Sequence, residues 1–268
     1  MNKLPILISV PHGGLIVPKE LKEKCLLTPQ DILRDGDTWT KELYDFKNLA
    51  QEYVDTDIAR AVLDMNRSQD DLPPINPDGI VKTVTVDGAQ IWNEKSGLTK
   101  EEIHWLISNY HIPYHKKLQI AAKNNNVVLA VDCHSMLDTG PSKNQSWQKR
   151  PLFCLSNRGS EQGLPVDEPI TAPAELMIKL KGNIEREFEG FNKYSDLPLV
   201  TVNNPFKGGY ITSYHGRQGK IPWIQLEINR RLYLPKIEEI DLIPDEITIS
   251  RIKDIKDMLY RVFKDLLT

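Results

Sequence analysis

The chain has 268 residues, 40% of them hydrophobic and 26% charged, which suits a globular protein with a substantial core and makes one domain over residues 1–268 the default expectation. A net charge of -3 offers no field to gather nucleic acid or anionic lipid, which leaves a small-molecule partner. The first apolar run, Leu4 to Val10, is too short for a signal-peptide core with its cleavage site or for a membrane span, so a cytoplasmic location is expected.

Cys25, Cys133 and Cys154 are an odd set without Cys-x-x-Cys spacing and read as reduced, buried thiols. In chain order, Leu4 to Val10 predicts a buried strand opening into the tight loop Pro11-His12-Gly13-Gly14. Leu43, Phe46, Ala50 and Tyr53 recur at helical steps and predict an amphipathic helix whose first turn lies near Asp37. Arg60 to Arg67 reads as another strand ending in Asp64-Met65-Asn66-Arg67, and Ile80 to Val86 as a hairpin or edge strand.

Thr99 with Glu102 is a capping box that opens a helix; Pro113 is expected to interrupt it before Tyr114 and His115 begin a second piece. Val127 to Val131 predicts a strand ending at Asp132-Cys133-His134-Ser135. Leu152 to Leu155 and Leu199 to Val202 are shorter strand candidates, with a helix through Met177, Leu180, Ile184 and Phe188 between them. Trp223 to Asn229 alternates, setting Gln225, Glu227 and Asn229 on one face and Ile224, Leu226 and Ile228 on the other. A long amphipathic helix through Ile252, Ile255, Leu259, Val262 and Leu266 closes the chain, and the alternation of strands with helices argues for an α/β layered sheet.

In open α/β sheets ligands lie beyond the carboxyl ends of the strands, where His12, the Asp64-Asn66-Arg67 group and Asp132 with His134 are expected. A catalytic zinc site needs three protein ligands and an open position, so His12 and His134 are the natural pair. The residue three after His12 is Leu15, so a remote carboxylate must complete the set, and spacing leaves Asp35, Asp37, Asp64 and Asp132 open. Glu227, between apolar neighbours, suits a general base facing a polar cavity. Arg67 beside Asn66 offers a planar fork for a carboxylate. The glycine-rich stretch Asn204 to Tyr210 reads as a mobile loop, without the ending of a phosphate loop. His115 is a candidate for contact with substrate or for support of the shell around the metal, and His215 with Arg217 for contact with substrate that stabilises the transition state, whereas His104 and His111 read as ordinary surface or packing residues.

Seven ordered blocks resemble the N-formylglutamate amidohydrolase family. They are Ser9-Val10-Pro11-His12-Gly13-Gly14, Asp37-Thr38-Trp39 with Glu42-Leu43-Tyr44, Leu63 to Arg67, Pro113-Tyr114-His115, Asp132 to Met136, Asn204-Pro205-Phe206 with Gly208-Gly209-Tyr210, and Gln225 to Ile228 followed by Arg230-Arg231. The resemblance implies a zinc carboxypeptidase-like three-layer α/β fold, a mixed central sheet flanked by helices. It implies zinc held by His12, Asp37 and His134, Glu227 as catalytic base, and Asn66-Arg67 as clamp for a substrate carboxylate. The implied activity is hydrolysis of N-formyl-L-glutamate. The rivals are a related hydrolase of another N-acyl amino acid or short peptide, and a non-catalytic carboxylate-binding protein. The chain departs from the family in Pro-His-Gly-Gly for the commoner Pro-His-Ser-Gly, and in Ser68-Gln69 after Asn66-Arg67 where Glu-Pro is commoner.

Overall fold

The computed structural model describes residues 3–93, 97–141, 146–194, 196–234 and 240–267. Along the chain run β1 (Leu4–Val10), α1 (Pro29–Asp35), α2 (Thr40–Leu43), β2 (Ala50–Asp55), α3 (Lys100–Leu106), α4 (Ile112–Ala121), β3 (Leu129–Met136), β4 (Thr139–Pro141) and β5 (Trp147–Lys149). There follow β6 (Phe153–Ser156), α5 (Ala174–Glu187), β7 (Val200–Val202), α6 (Tyr210–Gly216), β8 (Trp223–Asn229) and α7 (Glu246–Leu267). Six strands form one mixed sheet in the order β2-β1-β3-β8-β6-β7, parallel except where β6 meets β8. Among the described residues no helix is long and apolar enough to cross a membrane.

Strand periodicity decides what each face of the sheet buries. Ile6, Ile8, Val131, Cys133, Ile224, Leu226 and Ile228 pack in one core cluster with Leu180 and Ile184 of α5 and Ile255 and Leu259 of α7. On the opposite face Leu7, Ala130 and Trp223 join a second cluster with Leu106 of α3 and Leu118 of α4. That second face changes character along the strands. In-register pairing sets Ser9, Asp132 and Gln225 side by side, and then His134 beside Glu227. The sheet is thus oily at the amino ends of its central strands and polar at their carboxyl ends.

Several elements differ from the sequence expectation. The segment from Leu43 to Tyr53 is not one helix: α2 stops at Leu43, the chain turns, and β2 pairs with β1 at the sheet edge. Leu43, Phe46 and Ala50 face the same core from two different elements, which mimics a helical period. Arg60 to Arg67 is a chain of turns. Its apolar residues Ala61, Val62, Leu63 and Met65 are buried, but the Asp64 side chain accepts from its own loop at Asn66 N (2.8 Å) and bends the chain. Pro113 does not end the helix. A widened π turn at Ile107–His111 leads into α4, so the proline sits where its missing N–H costs little.

Ile80 to Val86 forms no strand; a single bridge joins Val84 to Gln90. The segment is tied instead by Lys82, 1% exposed, whose Nζ donates to both oxygens of Asp35 at 2.7 and 2.8 Å. Val86 N donates to the same carboxylate. Replacing Lys82 by Met strands a buried carboxylate and should cost about 3–5 kcal/mol in urea unfolding. Adding Asp35→Leu should restore much of that loss, and equal losses in single and double variants would contradict this reading.

Candidate active site

A cavity of about 600 Å³ opens over the polar end of the sheet. His12, Asp37, His134, Asn66, Arg67 and Glu227 all line it, although they come from five separate stretches of chain. His12 follows β1 as expected. His134 lies inside β3, which runs on to Met136 because every residue from Leu129 to Met136 is buried and those from Ala130 onward pair with β8 as far as Asn229. Asp37 comes from the link between α1 and α2. Its N–H donates to His12 O (3.0 Å), and its carbonyl accepts from Thr40 N and Thr40 Oγ1 at 3.1 and 2.8 Å. Arg230, buried, fastens the same link by donating to Arg34 O and Gly36 O, and to Ser135 Oγ.

Three donor atoms converge. His12 Nδ1 and His134 Nδ1 stand 3.1 Å apart, and Asp37 Oδ2 is 3.4 and 3.1 Å from them. Donors about 2.0 Å from a tetrahedral zinc stand about 3.3 Å from one another. The opposite ring nitrogens explain why lone pairs face inward. His12 Nε2 lies 2.7 Å from Asp64 Oδ1, and His134 Nε2 lies 3.0 Å from Asp132 Oδ2, so in a singly protonated imidazole each carboxylate draws the proton to the outer nitrogen. Both carboxylates are themselves held: Arg60 Nε donates to Asp64 Oδ2 (3.1 Å), and Ser9 Oγ, joined to Tyr114 OH, donates to Asp132 Oδ1 (2.9 Å). Two imidazole lone pairs and a carboxylate oxygen, all buried, can hold a metal ion.

The four carboxylates that spacing left open now separate by contact. Asp37 faces the two inner nitrogens, Asp64 and Asp132 hold the outer ones, and Asp35 is taken by Lys82. The electrostatics agree. Burial pulls the imidazoles down, but the facing carboxylates outweigh it and leave His12 raised and His134 raised well above the ordinary value, so in the metal-free group the carboxylates favour protonated imidazoles and a metal would bind by displacing the inner proton. Burial pushes Asp37 up, and its hydrogen bonds to His12 and His134 win, holding it well below the usual carboxylate range.

Glu227 sits on a central strand, 7% exposed, with Gln225 Nε2 donating to its Oε1 at 3.0 Å. Burial, opposed by His134, raises its carboxyl to about 7. That value suits a group that takes up and releases a proton near neutral pH.

The expected substrate-contact residues divide. Arg67 lines the cavity, with Nη2 donating to Asp78 Oδ2 at 2.8 Å. Asn66 also lines it, but its Oδ1 accepts from Ile211 N (2.7 Å), so it holds the start of α6. His115, His215 and Arg217 are not among the cavity-lining residues. His115 bridges His215 Nε2 and Met65 O, both at 2.9 Å, and His215 stacks on Trp223. Burial holds His115 at about 3 and His215 at about 4, so both stay neutral. Arg217 pairs with Glu168. His111, expected as an ordinary surface or packing residue, is buried with Nε2 against Arg67 O (2.9 Å). His111 and His115 therefore grip the carbonyls on either side of Asn66. The glycine-rich stretch is also tied down: Gly209 N donates to Gln225 Oε1 (2.7 Å), and α6 starts at Tyr210.

Fold and site together define an α/β protein carrying, at the strand-end edge of its sheet, a buried His-Asp-His group able to hold a metal ion. The chain belongs to the N-formylglutamate amidohydrolase family, whose sequence profile matches residues 4–234. It is 28% identical over 245 residues to an N-formylglutamate deformylase of Pseudomonas putida, an alignment covering 88% of this chain and 84% of that protein. Its fold matches the crystal structure of an N-formylglutamate amidohydrolase from Ralstonia eutropha JMP134 with a TM-score of 0.71 at 21% identity, over 98% of this chain and 94% of that one. A gene product of Agrobacterium tumefaciens matches with a TM-score of 0.68 at 13% identity, over 99% and 90% of the two chains.

Proposed function

We propose that this chain is a zinc-dependent amidohydrolase that cleaves N-formyl-L-glutamate to formate and L-glutamate. The observation that carries the reading is the convergence of His12 Nδ1, His134 Nδ1 and Asp37 Oδ2 in one cavity with Glu227. Family membership and the Pseudomonas putida relative support the substrate. A zinc ion at these donors would act as a Lewis acid, polarising an amide carbonyl and lowering the pKa of water to about 7.

The residues supply the rest. Glu227, held near 7, takes a proton from the attacking water and delivers it to the leaving amine nitrogen. With an ion bound, Asp64 and Asp132 would hold the remaining proton of each imidazole on its outer nitrogen and leave the inner one to the metal. Arg67 meets the substrate's α-carboxylate beside the scissile bond. Its present partner Asp78 is half exposed, so sharing or displacing it costs little.

The test is a substrate panel. Formate release from N-formyl-L-glutamate, with weaker turnover of N-acetyl-L-glutamate and dipeptides, is expected. A second reading rests on the cavity, whose roughly 600 Å³ admits a bulkier acyl group. Turnover of the larger substrates without formate release would select it.

A further inference from the structure

Five arginines line the cavity, and four of them are engaged. Arg34 pairs with Asp87, Arg60 with Asp64 and Arg67 with Asp78, while Arg230 donates to Ser135 and to two backbone carbonyls. The guanidinium of Arg150 makes no hydrogen bond or ion pair with any described residue, Glu227 included. An arginine is a fork of N–H donors that binds a carboxylate edge-on and in two places.

Its surroundings hold that plane. The Phe206 ring centroid lies 4.9 Å from the guanidinium carbon. Gly140 of β4 packs so close that a Cβ there would overlap the guanidinium nitrogens. The backbone is tied as well, with Arg150 N donating to Asp138 O at 2.8 Å. Held in this way on the cavity wall, and with no acceptor among the described residues, the N–H donors are available to a ligand. Burial already disfavours the Arg150 charge, and an anionic partner would offset that.

We propose that Arg150 anchors a second carboxylate of the substrate, the one at the end of its side chain, and so makes the cavity selective for dicarboxylic N-acyl amino acids. The assignment rests on the amidohydrolase reading for its choice of substrate. Arg67, beside Asn66 in the loop that carries Asp64, is the arm that the amidohydrolase reading gives to the α-carboxylate. Arg150 arrives from the β4–β5 hairpin, on a separate stretch of the cavity wall, and takes the distal one.

Two variants test it, Arg150→Gln and Gly140→Ala; the second displaces the guanidinium without removing it. Calorimetric binding of glutarate against butyrate isolates the second carboxylate. The wild-type protein should bind glutarate more tightly, and both variants should bring glutarate down to the level of butyrate. In kinetics, the kcat/KM preference for N-formyl-L-glutamate over N-formyl-L-glutamine should fall on the order of 100-fold in Arg150→Gln, the loss of one charge-assisted pair. An equal fall for both substrates, or glutarate and butyrate bound alike by wild type, would overturn the assignment. If wild type releases no formate yet binds glutarate through Arg150, the amidohydrolase reading fails and the carboxylate site stands.

Discussion

Glu227→Gln should lower turnover of N-formyl-L-glutamate by about 10²- to 10⁴-fold, the range removed with a positioned general base. Metal content and KM should stay near wild type. The amide keeps the oxygen that accepts from Gln225 Nε2, so the side chain should hold its place on β8. What disappears is the group able to carry a proton from water to the amine. A second signature follows from its raised pKa. In metal-stripped protein the carboxyl stays protonated up to about 7 when folded but ionises near 4.5 when unfolded. Its contribution to stability is therefore full below 4.5 and lost as pH rises through 7. Stripped Glu227→Gln should lose less stability over that window. Undiminished turnover would remove Glu227 from the mechanism.

His134→Ala and Asp132→Asn form a graded pair on the metal. Asp132 touches only the outer nitrogen of His134, and loss of such a partner typically costs about 10- to 100-fold in metal affinity. His134→Ala removes one of the three inner donors, so its loss of affinity should exceed that of Asp132→Asn. Competition with a chelator of known zinc affinity measures both. Turnover should fall with occupancy in each case, and excess zinc should rescue Asp132→Asn more fully than His134→Ala. Equal affinities in the two variants would mean that His134 does not face the ion.

Much of this arrangement was legible in the residues. The apolar run of β1 and the alternation of β8 gave exact bounds, because both are continuous elements of the central sheet. The capping box at Thr99 marked the start of α3 correctly. Other parts depended on tertiary context. Leu43, Phe46 and Ala50 look helical in one dimension although a turn and an edge strand present them to one core. Asp132, Cys133 and His134 read as the end of a strand, since their polarity makes sense only beside a cavity. Spacing could not choose among four aspartates. Family resemblance singled out Asp37, and the contacts that separate it from Asp64 and Asp132 exist only in the fold. His115 and His215 lie in or near motif blocks in the sequence, and in the fold they brace the Asp64 loop from behind. Arg150 lies in no motif, and its significance comes from partners on Gly140 and Phe206 that are remote in sequence or across a hairpin.

The most direct test is to strip the protein of metal and titrate zinc back while following formate release from N-formyl-L-glutamate. Background activity at zero zinc, a rise to a plateau at one zinc per chain, and no such rise in His134→Ala are expected. Full formate release by the stripped protein, or a plateau indifferent to His134, would contradict zinc-dependent hydrolysis at this site.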